Sequence, residues 1–260
     1  MQKEEIKFCD STIFEGMTSI RSIIKSYDEK TNNRKIEKIL FDKERISKIA
    51  KEIGYFKAVS NKYGFELIES SGEELEKLTL GNSHGGIIAI TSKREIPCLL
   101  SDSAISENGF YAMIQGIEDP YNFGYALRSL YAAGADGIIL PKRNWMSAAG
   151  VVCRSSAGAS ELFTMYEAEA EKAVKIFKEK GYKIVCADEK TDDILGSCSL
   201  PLPLLLIVGG EKRGISKSIL ELADIRVKIN YGREFKASLS AASATTMFAY
   251  EIMRQNNISK

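Results

Sequence analysis

An uninterrupted apolar run, Leu202-Pro-Leu-Leu-Leu-Ile-Val208, ends in the pair Gly209-Gly210. A strand with water on one face alternates polar and apolar residues, whereas a run with no polar member is a strand covered on both faces. The covered kind belongs to parallel sheets flanked by helices. Five further strand signals surround it, at 110–115, 137–140, 163–166, 183–187 and 225–229. Between and after them lie helical patterns at about 121–133, 146–157, 168–181, 216–223 and 238–254. This alternation predicts an open, mostly parallel α/β sheet. Ligands of such sheets bind at the carboxyl ends of strands, which directs attention to the loops after Gln115, Leu140, Val208 and Ile229.

The first hundred residues form a separate, smaller α/β module. Helices are expected at about 16–27 and 43–62, with another opened by Ser71-Gly-Glu-Glu74. Strands are expected at 38–41, 65–68 and 86–91. Residues 93–108 carry a proline, several turn formers and no sustained period, which suits a linker. The boundary therefore falls near residue 100, with a first domain over 1–100 and a second over 109–260.

Composition excludes several classes. With 44% hydrophobic and 27% charged residues, the 260-residue chain reads as globular. No apolar run approaches the roughly 18–20 residues of a membrane span, and the first residues are charged where a secretion signal needs an apolar core. The expected compartment is the cytoplasm. Five cysteines lack a C-x-x-C pair, so neither a disulfide framework nor a zinc site is suggested. His84 is the only histidine, which disfavours both serine-protease chemistry and a metal centre and suits a loop or capping residue. A net charge of +1 does not advertise nucleic acid. The basic-leaning stretch Arg21, Lys25, Lys30, Arg34, Lys35, Lys38 reads by itself as solvated surface.

Three segments carry candidate chemistry. Gly209-Gly-Glu-Lys-Arg-Gly214 has P-loop spacing, but Ile215 stands where the phosphate-binding lysine belongs, so nucleotide hydrolysis is not expected. Its glycines can let backbone approach a ligand or simply serve a turn. In Asp119-Pro-Tyr-Asn-Phe-Gly-Tyr-Ala-Leu-Arg128, Asp119 suits an N-cap and Pro120 the first helical turn. Phe123, Leu127, Leu130 and Tyr131 make the stripe that faces the sheet. Gly124 and Arg128 share another face, so something can approach the guanidinium closely. Finally, Ser238-Leu-Ser240 opens a helix rich in small residues, where either serine can cap the helix or contact a substrate.

In chain order these pieces resemble the SpoU/TrmH family of SPOUT-type RNA methyltransferases. The first family motif is similar to Asn122-x-Gly124-x-x-x-Arg128 with Ala132-Ala-Gly134, and the second to Ile207-Val-Gly-Gly-Glu-Lys-Arg-Gly-Ile-Ser216. The third is similar to Val227-Lys-Ile-Asn230 followed by Ser238-Leu-Ser240, and Ser155-Ser-Ala-Gly-Ala159 resembles the segment between the first two. Residues 15–92 resemble the family's N-terminal RNA-binding module.

The resemblance implies a C-terminal SPOUT-type domain with a deep trefoil knot, preceded by a small α/β RNA-binding domain. It also implies a homodimer with its site at or near the subunit interface, and S-adenosylmethionine as methyl donor. The implied reaction is methylation of a ribose 2′-hydroxyl of structured RNA, ribosomal RNA ahead of transfer RNA. By the same carry-over Arg128 activates the hydroxyl, Asn122 and Glu211 orient this arginine, and Ser238 helps position the substrate. Gly209, Ile229 and Leu239 supply backbone to the donor, and Gly214 shapes the loop. An arginine stays protonated, so its role is electrostatic. Two departures stand out, Ser240 in place of the family's usual asparagine and Tyr125 in place of a small residue. The rival readings are a non-catalytic RNA-binding or assembly factor and a base methyltransferase.

Overall fold

The computed structural model describes residues 12–79, 84–117, 119–142, 144–210 and 212–258. It divides into two compact units: Met1–Glu95 with Trp145–Leu162, and Ile96–Asn144 with Phe163–Lys260. The sequence-based boundary near residue 100 falls close to the first crossing. The second differs from that expectation, because Trp145–Leu162 joins the first unit.

The first unit holds a four-stranded sheet in the order β1-β4-β2-β3, formed by β1 (Ile13–Glu15), β2 (Ile36–Asp42), β3 (Glu66–Ser70) and β4 (Ile87–Thr91). Its helices are α1 (Gly16–Glu29), α2 (Ala50–Tyr63), α3 (Gly72–Leu78), α5 (Ala149–Ser155) and α6 (Ala159–Leu162). The expected helix over 43–62 is interrupted, because the Asp42 carboxylate accepts the Glu44 amide and closes a 3-10 turn before α2 begins at Ala50. Ser71 and Glu74 form the capping box that starts α3. His84 is buried, and its Nδ1 accepts the Gly86 amide.

Trp145–Leu162 is held in this unit by Ala149 and Cys153 packed in its apolar core, by Arg154 on Glu15, and by an ion pair far apart in sequence. Arg34 Nε donates to Glu161 Oε2 at 2.9 Å, and both side chains are almost wholly buried. Arg34 is therefore no part of a solvated basic surface. Arg94 donates to the Ser160 and Thr31 carbonyls beside it. Burial draws the Arg94 guanidinium down to about 10, with Arg34 reinforcing the shift and Glu161 opposing it, so it stays charged at neutral pH. Removing one partner of such a pair leaves an uncompensated buried charge. Glu161→Ala is expected to destabilise this unit by about 3–5 kcal/mol, measurable by urea unfolding; a loss under about 1 kcal/mol would mean the pair is dispensable.

The second unit contains six strands: β5 (Phe110–Ile114), β6 (Gly137–Leu140), β7 (Thr164–Glu167), β8 (Lys183–Ala187), β9 (Leu204–Val208) and β10 (Ile225–Val227). Every pairing is parallel, in the order β10-β8-β9-β5-β6-β7. The apolar run became β9, buried along its whole length between β8 and β5. Leu205 and Ile207 join a cluster with Phe177 and Ile219, supplied by α7 (Ala170–Glu179) and α8 (Lys217–Leu222). Leu204, Leu206 and Val208 point to the opposite face. That face is covered by α4 (Pro120–Ala132) and α9 (Ala241–Gln255), which pack on each other. The strand order reverses between β5 and β9, so the carboxyl ends of these strands form the switch point of the sheet.

Candidate active site

Three loops leave the carboxyl ends of β8, β9 and β10 and enclose one cavity of about 640 Å³. Its wall combines residues 187–190, 208–210, 213–215 and 227–231 with 233, 235–239 and the start of α9. Gly209, Gly214, Ile229, Ser238 and Leu239, separated in sequence, all line it. The loops after Gln115 and Leu140 do not contribute lining residues, whereas the loop after Ala187 does. That last loop carries no motif, and only the strand order, which sets β8 beside β9, could have pointed to it.

Sterics explain the glycines of the β9 loop. A Cβ on Gly209 would collide with the backbone of Gly214 and Ile215, so this glycine serves closure of the loop upon itself. Gly214 completes the closure by donating its amide to the Gly210 carbonyl at 2.9 Å, with a φ of +60° that side chains resist. A Cβ on Gly210 would overlap the carbonyl of Gly116, just past β5. The glycines thus let two adjacent strand ends meet at the switch point.

The β8 loop is fixed by Asp188. Its buried carboxylate receives Arg226 through Nε and Nη2 and also accepts the Lys190 amide, while its own amide donates to Val227. Glu189, next in the chain, accepts the Ser238 hydroxyl at 2.8 Å. The Leu239 amide is donated to the Tyr231 hydroxyl at 3.2 Å. The Ser238 bond holds the β10 loop against the β8 loop, and the Tyr231 bond closes the β10 loop on itself.

The helix expected from residue 238 begins at Ala241. Ser240 is its N-cap: the hydroxyl accepts the Ser243 amide at 3.1 Å, leaving Ser238 for Glu189. Ser240→Ala is expected to cost about 1 kcal/mol in thermal unfolding, whereas Ser240→Asn keeps an equivalent cap. Equal stabilities of Ser240→Ala and wild type would contradict the capping role.

The first motif lies elsewhere. Asp119 caps α4 by accepting the Asn122 amide at 2.7 Å, and Pro120 follows at the helix start. Phe123, Leu127 and Leu130 are buried, as their spacing predicts. Arg128 is exposed on the outer face of α4 and, among the described residues, has no hydrogen bond to Asn122 and no ion-pair partner. Neither Asn122 nor Arg128 lines the cavity. Glu211 lies outside the described residues. On the same side of the molecule, α9 presents Ser243, Thr246, Met247 and Tyr250 to solvent, and Ser129 joins Thr246 by a 2.7 Å hydroxyl contact.

Residues 109–250 match the family model of the SpoU rRNA Methylase family. The chain belongs to that family. Among its SpoU relatives, a protein of Shewanella oneidensis named 23S rRNA (guanosine-2'-O-)-methyltransferase RlmB is 27% identical over 98% of this chain and 99% of its own. A protein of the same name from Photobacterium profundum is 29% identical over 75% of this chain and 81% of its own. The SpoU fold is also seen in the Streptomyces viridochromogenes methyltransferase AviRb in complex with AdoMet, with a TM-score of 0.76, 24% identity and coverage of 95% and 91% of the two chains.

Proposed function

We propose that this SpoU family chain is a cytoplasmic homodimer that transfers the methyl group of S-adenosylmethionine to a ribose 2′-hydroxyl of ribosomal RNA. The observation carrying this reading is the convergence of Gly209, Gly214, Ile229, Ser238 and Leu239 on one cavity at the carboxyl ends of three parallel strands. The rRNA activity named for the Shewanella relative and the donor held by AviRb supply the substrate class and the methyl source.

The cavity suits such a donor. Its volume lies within the range of about 300–1,000 Å³ typical of small-molecule sites. Val208, Ile215, Leu220, Val227 and Phe248 offer apolar surface for a flat base, and the loop glycines keep side-chain bulk away from the backbone. Gly209, Ile229 and Leu239 would hold the adenosine by main-chain groups, with Tyr231 fixing the Leu239 amide. Once bound, S-adenosylmethionine supplies a methyl group activated by a positively charged sulfur.

A ribose hydroxyl is a poor nucleophile near neutral pH. Arg128 would stabilise negative charge developing on that oxygen as its proton leaves, acting through a fixed positive charge. Ser238, held by Glu189, would orient the ribose at the rim. Arg128 lies outside the cavity of its own chain but on the exposed α4–α9 face, where Tyr125, Met247 and Tyr250 are 49%, 43% and 59% exposed. A second copy docked on this face would bury those apolar side chains and bring its own Arg128 to the cavity rim, because Ala244 and Phe248 of α9 line the cavity. The trefoil knot belongs to the same reading. Beside it, Gln255 and Asn256 of the final helix region bind the Cys198 and Leu200 carbonyls, which ties the last helix to the segment that enters β9.

Calorimetric titration with S-adenosylmethionine tests the donor site. Wild type is expected to bind, and Gly210→Val to lose binding because its side chain must displace the Gly116 carbonyl. No heat of binding from folded wild type would remove the methyltransferase reading.

A further inference from the structure

The loop between β10 and α9 carries Tyr231-Gly-Arg-Glu-Phe-Lys236, an aromatic and cationic sequence at the rim of the donor cavity. Phe235 lines that rim while remaining 59% exposed. Its ring meets Tyr231 in an edge contact, with centroids 6.0 Å apart and planes at 64°. Tyr231 is itself anchored by the amide of Leu239. Phe235 is therefore supported along one edge, with much of its surface left in water.

Cations outnumber carboxylates around it, although Glu234 precedes it in the chain and Asp188 and Glu189 stand in the cavity wall. Lys190, Arg213, Arg233 and Lys236 line the same cavity, and among the described residues none of their side chains is in an ion pair. Of the two carboxylates in the described lining, Asp188 is engaged by Arg226 and Glu189 accepts the Ser238 hydroxyl. A rim with free cations and a supported, exposed aromatic ring matches the chemistry of an unpaired nucleotide. Its phosphates attract the cations, and its base offers a flat face for stacking.

We infer that Phe235 is the stacking platform for a base of the RNA substrate at the donor cavity, with Arg233 and Lys236 on the adjoining phosphates. This rests on the RNA methyltransferase reading above. A base inside a duplex has both faces covered by its neighbours, so stacking requires a splayed or single-stranded nucleotide. The substrate class is thereby narrowed to RNA whose target lies in a loop, a bulge or an unpaired strand. Phe235 touches the cavity only at its rim and is 59% exposed, so its removal falls on substrate recognition far more than on donor affinity.

The test uses the full-length chain, tritiated S-adenosylmethionine and ribosomal RNA purified from cells lacking this gene. Phe235→Ala is expected to raise KM for RNA about 10- to 100-fold, with the donor Kd, measured by calorimetry, within about two-fold of wild type. Phe235→Trp is expected to restore KM, because indole also stacks. An unchanged KM in Phe235→Ala would overturn the inference while leaving the methyltransferase reading intact. A parallel loss of donor affinity would also overturn it, making the ring a cover for the donor. Wild type that binds donor yet labels no RNA would remove both the inference and the reading it rests on.

Discussion

Replacing Arg128 with alanine is expected to lower kcat for methyl transfer about 100- to 1,000-fold while leaving the donor Kd within about two-fold. The two readouts separate because of where the residue sits. Arg128 is exposed on α4 and does not line the cavity that would hold the donor, so donor binding has no contact to lose. It also carries no ion pair among the described residues, so its removal strands no buried partner and folding is spared. The whole effect should fall on stabilisation of the developing oxyanion. Arg128→Lys should recover only part of the rate, because an ammonium keeps the charge without the planar fork of donors. An alanine variant within ten-fold of wild type would take Arg128 out of the chemistry.

Two inactive variants should restore activity when they share a dimer. Arg128→Ala keeps its donor cavity, and Gly210→Val keeps its arginine while its β9 loop is forced off Gly116. If Arg128 serves the cavity of the partner subunit, a mixed dimer contains one intact site, made from the cavity of the first variant and the arginine of the second. With random pairing half the dimers are mixed, so co-expression is expected to recover about a quarter of wild-type sites. If the arginine serves its own chain, a mixed dimer has no intact site. Activity no higher than either parent, from dimers shown to be mixed by two affinity tags, would contradict service across the interface.

Much of the second unit was legible from local pattern. β9 announced itself because it is buried on both faces, and α4 through Asp119, Pro120 and its apolar stripe. Features that depend on long-range contact were not legible. Glu161 looks like any helical acid until Arg34, more than a hundred residues earlier, is found against it. The three-residue β1 is too short to show alternation and exists because β4 pairs with it. Gly209 was readable as a constraint, but its cause lies in its own loop at Gly214. Of the expected site residues that are described, Gly209, Gly214, Ile229, Ser238 and Leu239 meet at one cavity, while Asn122 and Arg128 sit on α4 and do not line it. That separation depends on how α4 and α9 expose a common face, which a single motif does not encode.

Methylation of a ribose in ribosomal RNA is read directly by mass-spectrometric mapping of that RNA from cells with and without this gene. The expected result is one nucleotide that loses a methyl group in the gene's absence, with the methyl assigned to the ribose. Ribosomal RNA with the same methylation in both strains, or a methyl that maps to the base, would contradict it.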